Sequence, residues 1–464
     1  MRPLDDDRRR LPAILDATAD AAKSFLADLD SRPVVQTPPA IEPLGLLDDG
    51  LGADVARRDL LARYGPWLSG SAGPRYFAFV TGGATPAALA GDWLTGAFDQ
   101  NAVDAGTSSA QALALDALGM MRQLLGLPEH FGGVFVTGAT VSNFAGLAAA
   151  RQWLGERRGV DVAEQGVAAL GPATVHAGTA HSSVLKALSM AGLGRSALQP
   201  VTTLEGREAI DLDALEAALD AADGPTIVVA AAGTVNTCDF DDLGALGRLK
   251  ERYDFWLHVD GAFGALAAAS PRFAHLVAGL EHADSITVDA HKWLNVPYDG
   301  ALLLTPRRDL LGAVFRNAAS YIGTEIRDDT FVHLTPENSQ RLRALPIWST
   351  LAAYGRRGHA EIIERCCDLA ASLGRRLDAD PRFRLLAPVR LNGLCFTVSS
   401  EGSQEPTLDD IAAFLARLRD DGTIYLTPTV YRGLPAARVS ITNWRTDEAD
   451  IEAAWEALQR CVRV

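Results

Sequence analysis

The chain has 464 residues, 48% of them hydrophobic and 22% charged, a size and balance that suit a globular enzyme of more than one lobe and exceed what one compact core holds. Its formal net charge of −15 argues against nucleic acid or an anionic membrane as the main partner, because either needs basic surface to neutralise phosphates. The five cysteines (Cys238, Cys366, Cys367, Cys395, Cys461) are odd in number and two are adjacent, which suggests no disulfide framework and fits a reducing cytoplasm.

At the N-terminus, Met1 to Leu4 precede three aspartates and three arginines, so the apolar segment of a signal peptide is missing. No apolar run reaches the length of a membrane span. Residues 1 to about 30 predict an amphipathic helix with Leu11, Ile14, Leu15, Phe25, Leu26 and Leu29 roughly on one stripe, a helix expected to pack on another subunit. Pro33, Pro38, Pro39 and Pro43 then break any helix. Two helical patterns follow between about 85 and 127, the second stopped by Gly126 and Pro128.

Beyond this point short apolar runs alternate with helical stretches. The runs are Val134 to Val136, Ala173 to His176, Thr226 to Ala231, Trp256 to Val259, Ser285 to Val288 and Ala301 to Leu304. The helical patterns are Asn143 to Gly155, Ser182 to Ala191, Leu212 to Ala221 and Leu243 to Tyr253. Such alternation predicts a mainly parallel sheet covered on both faces, with ligands at the carboxyl ends of its strands. After Trp348 a helix from about His359 to Leu377, strands near Leu394 to Val398, Ile424 to Leu426 and Arg438 to Ile441, and a final helix read as a smaller α+β lobe. The expected division is an arm over 1–84, a large α/β domain over 85–347 and a small domain over 348–464.

Chemistry-bearing residues fall at or just past the strand ends. The turn Val136-Thr137-Gly138-Ala139-Thr140 opens a helix, where backbone N–H groups and the helix dipole suit a phosphate, although strand-to-helix turns of any α/β protein use such residues. Asp260 ends an apolar strand, where an ionised carboxylate is costly unless paired. It could hold a protonated pyridine nitrogen, or cap a local turn; Ala262, two residues on, is small enough to let a ring lie against the strand. His181 opens a helix, where it could stack on a ring or simply face solvent. Lys292, in Asp289-Ala290-His291-Lys292-Trp293-Leu294, follows another apolar run, and the interval from Asp260 leaves room for a helix and a strand that return it to the same sheet edge. A lysine nucleophile and an acidic partner for a ring nitrogen are the two protein groups that lysine-bound pyridoxal 5'-phosphate most demands. HExxH, paired-cysteine metal spacing, GxxxxGK[ST] and Gly-x-Ser-x-Gly are all absent, and no metal is expected.

Together, His181-Ser182-Ser183-Val184, Gly233-Thr234 with Phe240-Asp241, His258 to Ala262, and His291 to Leu294 resemble, in order and spacing, the pyridoxal-phosphate-dependent group II amino-acid decarboxylases. The resemblance runs from Tyr76-Phe77 into the C-terminal lobe. It implies the α/β architecture of a fold type I pyridoxal enzyme: a large domain with a mainly parallel sheet of seven-stranded type, a small C-terminal α+β domain and an N-terminal helical arm. A homodimer with its active sites at the subunit interface, acting on a small amino-acid substrate, is also implied.

In residue terms the resemblance implies that Lys292 carries the cofactor as a Schiff base, Asp260 pairs with the pyridine nitrogen and His181 stacks on the ring. Ala139, Thr140 and His291 would contact the phosphate, Thr234 would border the cofactor, and Ala262 would pack against the ring. Tyr321 matches a loop tyrosine that protonates the alpha carbon after carbon dioxide leaves a quinonoid intermediate, giving an amine. Relatives that make aldehydes often replace that tyrosine or the histidine; both stand here. The alternatives are decarboxylation-dependent oxidative deamination to an aldehyde or beta-elimination on the same cofactor and, from a different class, a catalytically silent scaffold.

Three departures stand out. Asp289 occupies a place where animal members carry asparagine, Val235 follows Gly233-Thr234 where threonine is usual, and the expected substrate wall, Phe79 to Gly82 with Asp99-Gln100-Asn101, is less aromatic than in enzymes acting on dopa or tryptophan. A smaller or more polar substrate is the resulting expectation.

Overall fold

The computed structural model describes residues 3–101, 108–317, 330–398 and 405–462. It opens with α1 (Pro3–Ala27) and α2 (Ala53–Arg63), joined by the proline-rich stretch. The chain covers only the end of the α1 stripe: Leu29 is buried and Phe25 and Leu26 are half-buried, while Leu11 and Leu15 are 52% and 58% exposed. Next, α3 (Pro86–Phe98) starts where the Thr85 hydroxyl accepts the Ala88 N–H and Pro86 takes a position that needs no donor. α4 (Ala110–Leu124) ends before Gly126, whose φ of 70° is the left-handed turn that glycine adopts most easily.

The large sheet is built from β1 (Gly132–Val136), β2 (Val175–Ala177), β3 (Leu198–Pro200), β4 (Thr226–Ala231), β5 (Phe255–Asp260), β6 (Ser285–Val288) and β7 (Ala301–Thr305), in the order β1-β7-β6-β5-β4-β2-β3. β7 runs antiparallel to both neighbours and the remaining pairs are parallel. The helices of this region are α5 (Ala139–Arg157), the single turns α6 (Val162–Gln165) and α7 (Val167–Leu170), α8 (Ser182–Met190), α9 (Leu212–Asp220) and α10 (Leu243–Leu249), followed after β7 by α11 (Arg308–Phe315). In β4 and β5 every residue is buried except the last, Ala231 and Asp260. Burial along both faces explains why these segments read as continuous apolar runs.

The C-terminal part holds α12 (Ala344–Ala379), β8 (Phe383–Leu385), β9 (Gly393–Val398), α13 (Leu408–Asp421), β10 (Thr427–Tyr431), β11 (Leu434–Ser440) and α14 (Glu448–Cys461). Its sheet is antiparallel throughout, ordered β10-β11-β9-β8. Reciprocal capping boxes start α13 (Thr407 with Asp410) and α14 (Asp447 with Asp450).

Several elements differ from expectation. The helix foreseen from His359 begins at Ala344 and breaks at Gly355 (φ 58°), so the expected boundary at Trp348 falls inside its first limb. The strand foreseen at Ile424 to Leu426 lies further on, at Thr427–Tyr431, while Tyr425 forms an isolated bridge with Tyr76. β3 and β8 span only three residues each, too few for alternation to reveal. Between Asp260 and Lys292 the chain makes three 3-10 segments (Gly264–Ala269, Ala274–Val277, Leu280–His282) in place of an α-helix. Close packing accounts for part of this: a Cβ at Gly264 would lie 2.2 Å from the Ala232 carbonyl oxygen, so backbone meets backbone.

Candidate active site

The carboxyl ends of β4, β5 and β6 open onto one cavity of about 350 Å³, lined among others by Ala139, Thr140, His181, Thr234, Asp260, Ala262, His291 and Lys292. The expected catalytic and cofactor residues among the described ones therefore meet in one place; Tyr321 lies outside the described residues. Parallel pairing explains the convergence, since Asp260 lies in register with Thr287 of β6 and the chain reaches Asp289 and Lys292 just past that edge.

Asp260 is held from two directions. The Asn143 amide donates to its Oδ2 at 3.1 Å and the Ala262 N–H to its Oδ1 at 3.3 Å, which leaves acceptor capacity facing the cavity. Asn143 is itself oriented by donors on its far side: its Oδ1 takes the Thr287 hydroxyl at 2.6 Å and His258 Nε2 at 2.9 Å. His258 completes the chain through Ser285 Oγ, 2.7 Å from Nδ1, and burial pulls its pKa down to about 4, so the imidazole is neutral.

His181 caps α8, its Nδ1 accepting the Ser183 N–H at 3.3 Å and lying 2.7 Å from Ser183 Oγ. The ring stays open to the cavity mouth, but protein surrounds its other sides. This desolvation, with help from the Lys292 and Arg438 charges, lowers its pKa against the opposing pull of Asp260 and Asp289 and favours the neutral ring.

At the other end, α5 opens with the Ala139 N–H, whose acceptor is Asp289 Oδ1 at 3.0 Å. Asp289 Oδ2 also lies 3.3 Å from His291 Nε2 and 3.3 Å from Lys292 Nζ. Burial raises this carboxyl's pKa, but the His291 hydrogen bond and the Lys292 charge outweigh it and hold the pKa below the usual carboxylate range. His291 stacks on Tyr298 with ring centroids 4.3 Å apart. Gly82 fits against the lysine segment, since a Cβ there would fall 1.8 Å from the Lys292 carbonyl oxygen.

Thr234 lines the cavity, but its hydroxyl is already engaged, donating to buried Glu208 Oε2 at 2.5 Å and accepting the Asp239 N–H at 2.9 Å. Of the expected substrate wall, Phe79 and Val80 line the cavity, and Thr81 lines a neighbouring apolar one of about 330 Å³ behind His291 and Tyr298. Asp99 and Asn101 are instead exposed at the end of α3.

Sequence reasoning missed Asn143 and Arg438. Arg438, on β11, lines the cavity, and its Nε is buried with no hydrogen-bond partner among the described residues. A polar pair (Ser142-Asn143) inside an alanine-rich helix, and an arginine in the run Ala436-Ala437-Arg438-Val439, were the available signals.

The donor set fits pyridoxal phosphate: a lysine amine, a carboxylate with spare acceptor capacity, a neutral histidine and a helix N-terminus with His291 converge on a cavity of suitable size. Among the described residues no cluster of three or more His, Cys, Asp or Glu is placed to hold a metal, and no helix is long and apolar enough to cross a membrane.

Residues 59–399 match the model of the pyridoxal-dependent decarboxylase conserved domain. The chain is 32% identical to the aromatic-L-amino-acid decarboxylase of Sus scrofa, over 83% of this chain and 81% of that one. It is 29% identical to tryptophan decarboxylase 1 of Oryza sativa subsp. japonica, over 98% and 93% respectively. Among solved structures, Oryza sativa TDC with PLP and tryptamine superposes with a TM-score of 0.88 at 25% identity, covering 98% of both chains.

Proposed function

Because the chain belongs to the pyridoxal-dependent decarboxylase family and is a pyridoxal-phosphate-dependent amino-acid decarboxylase, a carboxy-lyase, we propose which residues perform the reaction and that its product is the amine. The observation that carries the assignment is that the Asp260 carboxylate, at the end of β5, and the Lys292 amine, just past the end of the adjacent parallel strand β6, open onto one cavity.

When bound, pyridoxal phosphate supplies a protonated ring that accepts the electron pair of the breaking bond to the carboxylate. We assign Lys292 as the covalent anchor and Asp260 as the group that holds the proton on the ring nitrogen. Asn143 keeps Asp260 aimed and hydrogen-bonded at Oδ2. His181, neutral, covers the ring face, and Ala262 gives the opposite side room. The Ala139 and Thr140 end of α5 and His291 receive the phosphate, as helix N-termini do. Arg438, whose buried Nε has no hydrogen-bond partner among the described residues, is assigned to the substrate carboxylate. Tyr321 is assigned proton delivery to the substrate alpha carbon, the step that yields an amine.

Phe79, Val80 and Val235 make the side-chain wall apolar. This favours an uncharged side chain, small enough for the space these residues leave; the relatives named for tryptophan and aromatic amino acids act within the uncharged class. Oxidative deamination to an aldehyde and beta-elimination are not favoured, since the two relatives named above by sequence are decarboxylases.

The chain is proposed to work as a homodimer. Leu11, Leu15, Leu46, Leu60, Trp93, Leu94 and Phe98 are exposed on the N-terminal arm and α3, an apolar surface that invites a second copy and would carry Asp99 and Asn101 toward the partner's site. A cytoplasmic location accords with five free, buried cysteines.

The test is spectroscopic and chemical. Purified protein supplied with pyridoxal phosphate should turn yellow, lose that absorbance with borohydride, and release carbon dioxide and an amine from one or a few L-amino acids. Lys292→Ala should abolish the borohydride-sensitive band, and a band that survives the substitution would remove Lys292 from its role.

A further inference from the structure

Asp289 is already the anion that the phosphate seat would receive. Its buried carboxylate takes the Ala139 N–H at the start of α5 at 3.0 Å, and the same side chain lies 3.3 Å from both His291 Nε2 and Lys292 Nζ. Three groups suited to a cofactor, namely a helix N-terminal donor, an imidazole and the anchoring amine, thus converge on one residue of the chain itself. At 3% exposure the residue has little access to water, so among the described residues its charge is balanced by these donors.

We propose that Asp289 is a resident counter-anion that occupies the phosphate-binding donors in the cofactor-free protein and is displaced when pyridoxal phosphate binds, so that it sets cofactor affinity. The proposal rests on the cofactor site assigned above. Two physical consequences follow. Without cofactor, the seat is internally satisfied and Lys292 keeps a charged partner, which spares the empty protein an unpaired buried cation. With cofactor, the incoming phosphate meets a like charge on its own donors, which weakens its hold and makes loading reversible.

The discriminating measurement compares pyridoxal 5'-phosphate with pyridoxal, which lacks the phosphate but condenses with the same lysine. Cofactor-free wild-type protein and Asp289→Asn are each titrated with both compounds by visible absorbance. The expected result is a Kd for pyridoxal phosphate on the order of tenfold lower in Asp289→Asn, with the Kd for pyridoxal changed by less than about twofold. A thermal melt should also show cofactor-free Asp289→Asn unfolding at a lower temperature than the cofactor-free wild type. Equal shifts for both compounds would mean that Asp289 acts only through Lys292, and unchanged or weaker binding of pyridoxal phosphate would mean that it does not compete; either overturns the proposal. Should Asp289→Asn not fold, Asp289→Ser carries the same comparison. A wild-type protein that binds neither compound would refute the cofactor site itself, a result distinct from one in which both proteins bind and the ratio of constants is unchanged.

Discussion

Asn143 donates its side-chain amide to Asp260 Oδ2 at 3.1 Å although 117 positions separate the two residues. The amide cannot turn over without loss, because its oxygen is taken by Thr287 Oγ1 and His258 Nε2. Asn143 also donates to Ser183 Oγ at 3.1 Å, and Ser183 in turn contacts His181. One buried amide thereby positions both the carboxylate proposed beneath the pyridine nitrogen and the histidine proposed over the ring.

Asn143→Ala should therefore weaken function without removing any group assigned to contact substrate. A hydrogen bond to a charged acceptor contributes roughly 1.5–3 kcal/mol, so kcat should fall about ten- to a hundredfold. The pH profile and the position of the cofactor absorbance band should shift as well, since Asp260 loses its fixed orientation. A variant with lowered thermal stability but an unchanged band and pH profile would leave Asn143 a purely structural role.

Arg438→Met should raise KM for the substrate by at least about tenfold and change kcat less, as expected for loss of a charged contact made to the bound substrate. The methionine keeps much of the side-chain volume against the buried wall. Steady-state kinetics with the preferred amino acid decide the matter: a fall in kcat at constant KM would assign Arg438 elsewhere.

Tyr321→Phe should divert product from amine toward aldehyde, with oxygen uptake and release of ammonia and peroxide. If the product ratio is untouched, a different residue delivers the proton to the alpha carbon.

Acid sensitivity should trace in part to buried histidines. Burial lowers the pKa of His359 to about 4 from the usual 6.5, and its Nε2 is buried without a hydrogen-bond partner among the described residues. A folded-state pKa below the unfolded one means that this contribution is full above about pH 6.5 and is lost as the pH falls toward 4, with an amplitude on the order of 3 kcal/mol. Asp241 and Asp450, raised to about 6 by burial, act in the opposite sense over the same range. The informative quantity is therefore the difference between wild type and His359→Gln in denaturant midpoints from pH 7 to 4. That difference should narrow with acid, and parallel curves would show that His359 does not carry the effect.

Much of the architecture was legible because the central parallel strands are buried on both faces and read as apolar runs without partners being known. β4, β5 and β6 emerged at nearly their observed limits for this reason. Two of the departures have specific causes. Segments as short as β3 and β8 carry no period, and in the stretch from Gly261 to His282, which folds as 3-10 turns, Gly264 and Gly279 pack directly on other backbone, a long-range contact that local periodicity does not record.

The sequence by itself determined the chemical groups on offer and their place at strand ends: Lys292, Asp260, His181 and the α5 turn, each tied to a local pattern of a few neighbouring residues. Only the tertiary structure decided that Asn143 meets Asp260, that Arg438 comes from β11 to the same cavity, that the Thr234 hydroxyl is spent on Glu208, and that Asp289 sits on the donors of α5. The physical reason is that local periodicity is written in adjacent residues, whereas hydrogen-bond partners and unpaired charges depend on which distant segments the packed sheet brings within about 3 Å of one another.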